Sequence, residues 1–310
     1  MFKFTASLAV LILASSIHAQ SFLKADDLND RGLRLYEAGD YDAAIKAFNE
    51  AIELTSRLTK PKSLKNNIFP PEKTEEALLA DQVRVVDPRT AIALTNRGNV
   101  FFARSELDRA LEDYNEAIRI MPTLAAAYVS RASVWLIRRD FQRALDDQTK
   151  AIKLEPKNTK GYIARSLTRM DMSDPKGAFD DIASALAIEP DNAEAIFRRG
   201  DIRKNTDDFA GALRDYQQAI ELDPQCSGAY IGLGTVNLAL GKFDDAVAHY
   251  TTAIRLDGRL AQVYKFRGYA LLYQQKDEEA QRDFDRAIRV APRYKAEIEE
   301  AVKLIKSKRK

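Results

Sequence analysis

The sequence predicts an all-α fold, a solenoid of stacked helix pairs. Three observations predict it. A 34-residue word repeats along the chain without insertion or deletion from residue 91 to residue 294. Apolar residues recur within each word at spacings of three and four, which places them on one face of a helix. Gly (13) and Pro (10) are few for 310 residues, which disfavours an all-β chain built on tight turns.

The repeat is plainest where each unit ends. Ala117-Ile118-Arg119-Ile120-Met121-Pro122 returns as Ala151-Ile152-Lys153-Leu154-Glu155-Pro156 and again in four later units, with Gly258 once replacing the proline. An earlier copy is Ala51-Ile52-Glu53-Leu54. The organisation is therefore a first repeat over 25–58, an insert over 59–90, six contiguous repeats over 91–294 and a capping helix over 295–310. Within the second unit, Leu94, Phe101 and Phe102 mark one helix. Leu107, Ala110, Leu111, Tyr114, Ala117 and Ile118 mark the next, and Pro122 stops it by removing a donor and clashing with the preceding turn. A single hairpin has an apolar face too large to bury alone, so neighbours must stack on it.

Residues 1–19 read differently. Lys3 is followed by the apolar run Leu8–Ala14 and the small-residue stretch Ser15–Ala19, the parts of a secretory signal peptide. The run is too short to span a membrane as a helix, although a retained anchor is the alternative to cleavage. Cleavage would leave an exported chain, periplasmic or secreted, without an integral membrane segment. In the insert, Pro61, Pro70 and Pro71 interrupt the chain, Glu72–Val83 is compatible with a helix, and Asp87-Pro88 suits the start of the next one.

Counted by position in the unit, the pattern is specific. Position 8 holds Gly32, Gly98, Ala132, Ser166, Gly200, Gly234 and Gly268. Position 20 is Ala in every unit from Ala44 to Ala280, and position 27 is always Ala. Position 24 is aromatic (Phe48, Tyr114, Tyr216, Tyr250, Phe284) except at Gln148 and Ile182. Together with the proline at position 32, this resembles the tetratricopeptide repeat family. The resemblance implies a right-handed superhelical solenoid of antiparallel helix pairs, with the first helix of each pair lining a concave groove.

Position 7 departs from that family, in which it is usually apolar. Here it holds Arg31, Arg97, Arg131, Arg165, Arg199 and Arg267, while position 23 holds Asp113, Asp147, Asp181, Asp215 and Asp283. The sixth unit lacks both, with Leu233 and His249. Paired loss points to structural Arg–Asp ion pairs, Arg97–Asp113 through Arg267–Asp283, and away from a row of arginines for anionic ligands. Arg169 also departs, at position 11, where a bulky apolar residue is usual.

Nothing in the sequence supplies chemistry. Beyond the leader there is one histidine, His249, and one cysteine, Cys226, so no metal-ligand spacing, intramolecular disulfide or nucleophile–base pair is legible. Gly232-Leu233-Gly234 lies within a helix and is not a phosphate loop. Lys+Arg (48) and Asp+Glu (46) nearly cancel and interleave, which gives no footprint for nucleic acid. The basic end Lys306–Lys310 suits a helix C-terminus. The expectation is a non-enzymatic scaffold with no catalytic residue, no metal and no cofactor.

By resemblance the groove presents Asn99, Phe102, Val129, Leu136, Ile137 and Ile163, then Phe197 and Tyr269. An apolar groove with scattered polar groups suits a peptide or protein partner. Chaperone-tail binders of the family clamp a carboxylate with Lys at position 5 and Asn at position 9. Here Thr95 precedes Asn99 and Tyr269 follows Lys265, so the clamp is absent. A scaffold associated with cell-envelope polysaccharide export is the alternative reading, and a row of solvent-facing aromatics would favour it.

Overall fold

The computed structural model describes residues 23–58 and 87–308. The leader 1–19 and nearly all of the insert expected over 59–90 lie outside the described residues. The chain divides into two compact units, Met1–Pro156 and Lys157–Lys310.

In the first unit, helical residues 23–37 (α1) pair with α2 (Tyr41–Leu58). Then α3 (Pro88–Ala103) pairs with α4 (Leu107–Ile120), and α5 (Ala125–Ile137) with α6 (Phe141–Leu154). The second unit pairs α7 (Thr159–Asp171) with α8 (Pro175–Ile188) and α9 (Ala193–Asn205) with α10 (Phe209–Leu222). It continues with α11 (Ser227–Ala239), α12 (Phe243–Leu256), α13 (Ala261–Tyr273) and α14 (Asp277–Val290). A 3₁₀ turn at Pro292–Tyr294 leads into α15 (Lys295–Ser307). No strand occurs among the described residues. Odd-numbered helices up to α13 are the first of each pair, and within each unit neighbouring ones touch.

One turn folds every hairpin. The residue at position 15 has positive φ in all seven repeats: Gly39, Ser105, Arg139, Ser173, Asp207, Gly241 and Gln275. The following amide donates back to the carbonyl of position 11, as in Glu106 N to Phe101 O at 2.8 Å and Asp140 N to Trp135 O at 2.9 Å. This is the left-handed helix stop, which satisfies carbonyls the helix would leave bare. Asp140, Asp174 and Asp208 then cap the second helix by accepting from the backbone amide three residues on. Asp87 caps α3 in a related way, accepting from Arg89 N at 2.9 Å, with Pro88 as the first helical residue.

Packing explains the two irregular units. A Cβ added at Gly98 would lie 2.6 Å from the Tyr114 ring, and one at Gly268 2.5 Å from Phe284. Position 8 is small because the aromatic at position 24 lies over it. Where position 24 is Gln148 or Ile182, position 8 has room for a side chain and holds Ala132 or Ser166, both buried. The positions vary together, which conserves volume in a close-packed interface. Ala at position 20 is fully buried in all seven repeats. At the end of the chain, α15 buries Ile298 and Ile305 against Leu271, Leu272 and Phe284, covering the apolar face of the last hairpin.

Candidate binding site

Two features converge on the first helices: a lattice of charged side chains that fixes them, and apolar side chains that the stack leaves uncovered.

The lattice begins with the five Arg–Asp pairs. Arg97 Nε and Nη2 donate to the two oxygens of Asp113 at 2.8 and 2.6 Å. Arg131 holds Asp147 at 2.9 and 2.7 Å, and Arg267 holds Asp283 at 2.7 Å through both nitrogens. Arg165 and Arg199 hold Asp181 and Asp215 in the same forked way. The carboxylates are 1–6% exposed, so each depends on its arginine. The remaining guanidinium nitrogen reaches the preceding repeat: Arg97 Nη1 donates to Asn49, Arg131 Nη1 to Asn115 at 2.6 Å and Arg267 Nη1 to Thr251 at 3.0 Å. One arginine thus ties its own hairpin together and docks it on its neighbour. The same contacts hold the Arg131 and Arg267 guanidinium pKa values above the ordinary arginine range, the carboxylate hydrogen bond contributing most.

Arg169 finds its reason here. Its Nη1 lies 2.9 Å from Asp181, and the equivalent Arg203 Nη1 lies 2.7 Å from Asp215. Two arginines therefore grip one buried carboxylate in the fourth and fifth repeats. In the sixth, Leu233 is buried in place of the arginine.

The predicted groove residues separate into three groups. In the first unit, Val129 (46%) and Ile137 (57%) are exposed, and Phe102 and Leu136 beside them are half-buried. Asn99 is half-buried and accepts from the Tyr114 hydroxyl at 2.8 Å, so part of its capacity is already used. In the second unit, Phe197 is half-buried against Tyr216 with the Arg198 guanidinium 4.8 Å from its ring. Tyr269 is half-buried between Phe266 and Phe284. Ile163 is not a groove residue. It is 4% exposed and packs with Ile182, Ala195 and Ile202, because the next first helix presents a small alanine there and covers position 5.

Sequence profiles of the tetratricopeptide repeat match residues 25–57, 91–124 and 197–261. The chain belongs to the tetratricopeptide repeat family. Solved structures share the fold. A tetratricopeptide repeat protein from Parabacteroides merdae is 19% identical, with a TM-score of 0.65 over 91% of this chain and 99% of that one. Cut9–Hcn1 of the APC/C hetero-tetramer is 14% identical, with a TM-score of 0.63 over 85% of this chain and 55% of that one. PilF of Pseudomonas aeruginosa is 14% identical, with a TM-score of 0.57 over 65% and 92%. No curated protein matches in sequence.

Within this tetratricopeptide repeat chain, Lys265 stands where clamp-type members bind a carboxylate. It is 6% exposed, donates to Glu297 of α15 at 2.8 Å and lies 4.3 Å from the Tyr294 ring. Its charge is spent inside the fold. Reasoning from sequence also missed a second rung between repeats. Arg138 donates to Asp108 at 2.6 Å, Arg104 to Asp42 at 2.5 Å and Gln274 to Asp244 at 2.8 Å, always position 14 to position 18 of the preceding repeat. A donor thirty residues after an Asp, in the two pairs whose repeats are contiguous, was the available signal. No described helix is long and apolar enough to cross a membrane.

Proposed function

We propose that this tetratricopeptide repeat chain is a non-catalytic scaffold that binds a peptide or protein segment along the groove lined by its first helices. The fold supports a protein–protein interaction scaffold. The single observation that carries the groove reading is the exposure of Val129 and Ile137, with Phe102 and Leu136 at their sides, on helices that the Arg–Asp lattice holds rigid. Apolar side chains left to water on a preorganised face can gain affinity by burial without an ordering cost.

The test is affinity capture from envelope extract with quantitative mass spectrometry. Val129→Asp with Ile137→Asp is expected to remove one protein or a small set while circular dichroism stays unchanged. An unchanged capture profile would place the binding face elsewhere. The polysaccharide reading needs a row of exposed rings. Among the described residues only Phe179 and Tyr273 are large aromatics of that exposure, on different repeats, which favours a protein partner.

Export is part of the same reading. Residues 1–19 are taken as a cleaved leader, which makes the scaffold periplasmic or secreted, and the tripartite pattern supports this. Intact mass of the cell-envelope protein is expected to show loss of the leader; a mass retaining Met1 refutes cleavage.

A further inference from the structure

Polar ties between successive repeats are not spread evenly along the array. In the first unit, Arg97–Asn49 and Arg104–Asp42 tie the second repeat to the first. Arg131–Asn115 and Arg138–Asp108 tie the third to the second. In the second unit, Arg267–Thr251 at 3.0 Å and Gln274–Asp244 at 2.8 Å tie the seventh repeat to the sixth. Two ring pairs join these repeats as well, Phe243 on Tyr273 with centroids 4.7 Å apart and Tyr250 on Phe266 at 6.2 Å. The fifth repeat keeps one such contact with the fourth, the Arg203 guanidinium 5.8 Å from the Phe179 ring.

The junction between the fifth and sixth repeats has none of these. Among the described residues, no side-chain hydrogen bond, ion pair, ring stack or cation–ring contact runs from α9 or α10 to α11 or α12. Both rungs fail here together. Buried Leu233 stands in place of the arginine. Gln217, at the position where Asn49 and Asn115 accept, instead donates to Glu221 of its own helix at 3.4 Å. In the second rung, Leu240 stands at position 14 and Ala210 at position 18 of the preceding repeat. What remains is apolar: Ile196, Tyr216 and Ala219 pack with Ala229, Leu233 and Val236.

The face that α11 turns to the fifth repeat is also smooth. This helix of 13 residues carries Gly228, Gly232 and Gly234. A Cβ added at Gly228 would lie 2.7 Å from the Phe197 ring, and one at Gly232 would run into the Tyr216 ring. A hydrogen bond fixes distance and angle, so each tie selects one register of the two helices it joins. Apolar contact is non-directional, and a glycine face offers no side chain to interlock with the ring above it. Small sliding of packed helices needs such a face.

We propose that the junction of the fifth and sixth repeats is a sliding joint of the second unit. There α11 shifts against α9 and α10 and changes the width of the groove between the first helices. The ties at the neighbouring junction hold the sixth and seventh repeats in one register, so the motion gathers at the untied one. The joint belongs to the free chain and stands apart from which partner the groove takes.

The test compares two spin-label distance distributions on the full chain carrying Cys226→Ala. Labels at Gln218 and Arg286 occupy position 26 of the fifth and seventh repeats, and labels at Glu50 and Lys150 occupy position 26 of the first and third. All four side chains are exposed. Each pair spans two junctions, and only the first pair spans the joint. Pulsed double electron–electron resonance is expected to give a distribution about twice as broad for 218–286 as for 50–150. Ala210→Asp with Leu240→Arg rebuilds, at two exposed positions, the rung that Asp108 and Arg138 make. It is expected to narrow the 218–286 distribution to the 50–150 width. Ala210→Lys with Leu240→Arg adds charge without a pair and is expected to leave it broad. Equal widths for the two label pairs overturn the proposal, and this comparison needs neither variant to fold. A distribution that the Asp–Arg pair leaves broad, or that the Lys–Arg pair narrows as much, also overturns it.

Discussion

Arg131 holds Asp147 alone, whereas Asp215 is held by both Arg199 and Arg203. Both carboxylates are buried, so the number of arginines decides what a substitution costs. Arg131→Leu leaves a buried carboxylate with no guanidinium and is expected to cost about 3 kcal/mol or more. Arg199→Leu leaves the 2.7 Å contact with Arg203 and is expected to cost clearly less. Adding Asp147→Leu to Arg131→Leu is expected to recover much of the loss, as the sixth repeat does with Leu233. Urea denaturation of the three variants checks this, and strict additivity in the double variant would contradict it.

Gly98 and Tyr114 make a second coupled pair. Gly98→Ala pushes a methyl group into the ring and is expected to cost about 1–3 kcal/mol. Gly98→Ala with Tyr114→Gln reproduces the combination found at Ala132 and Gln148 and is expected to be milder than the single change. Denaturant midpoints measure both.

The left-handed residue of each turn gives an opposite pair of effects. Gln275 has φ 61°, which suits glycine, so Gln275→Gly is expected to stabilise by about 0.5 kcal/mol. Gly39 has φ 78° and nothing near its Cα to clash with, so Gly39→Ala is expected to destabilise through backbone conformation alone, by about 1 kcal/mol. Thermal melts of the two variants should move in opposite directions.

Buried tyrosines set the alkaline limit. Burial pushes the Tyr250 phenol from its ordinary 10.0 up to about 12, and raises Tyr114 and Tyr216 as well. Above pH 10.0 the unfolded chain loses phenol protons that the folded chain keeps, so stability falls as pH rises from there towards about 12. Each such tyrosine contributes a slope of about 1.4 kcal/mol per pH unit. Tyr250→Phe, which copies Phe48 and Phe284, is expected to flatten the slope in melts recorded across that range.

Much of this was legible in the sequence because the repeat compares each position with itself. Arg and Asp sixteen residues apart, lost together at Leu233 and His249, marked a contact between paired helices. The exchange of Gly for Ala132 and Ser166 where position 24 loses its aromatic was equally readable, once the two positions are taken together. Exposure was not. Val129 and Ile163 share position 5, yet one faces water and the other is buried, Ile163 in a cluster with Ala195 of the following first helix. Lys265 looks like a groove cation until α15 supplies Glu297. The arginines that double onto Asp181 and Asp215 also needed the fold, since position 11 has no fixed partner in the period.

Docking of a protein partner on the first-helix surface is checked by site-specific photo-crosslinking. A photoreactive phenylalanine is placed at Ile137 on that surface in one variant and at Arg119, an exposed position on a second helix, in another. Irradiation in envelope extract is followed by mass spectrometry of the adducts. Discrete protein adducts are expected from position 137, vanishing when Val129→Asp is added, and none from position 119. Equal adducts from both positions, or adducts from position 119 alone, would contradict it.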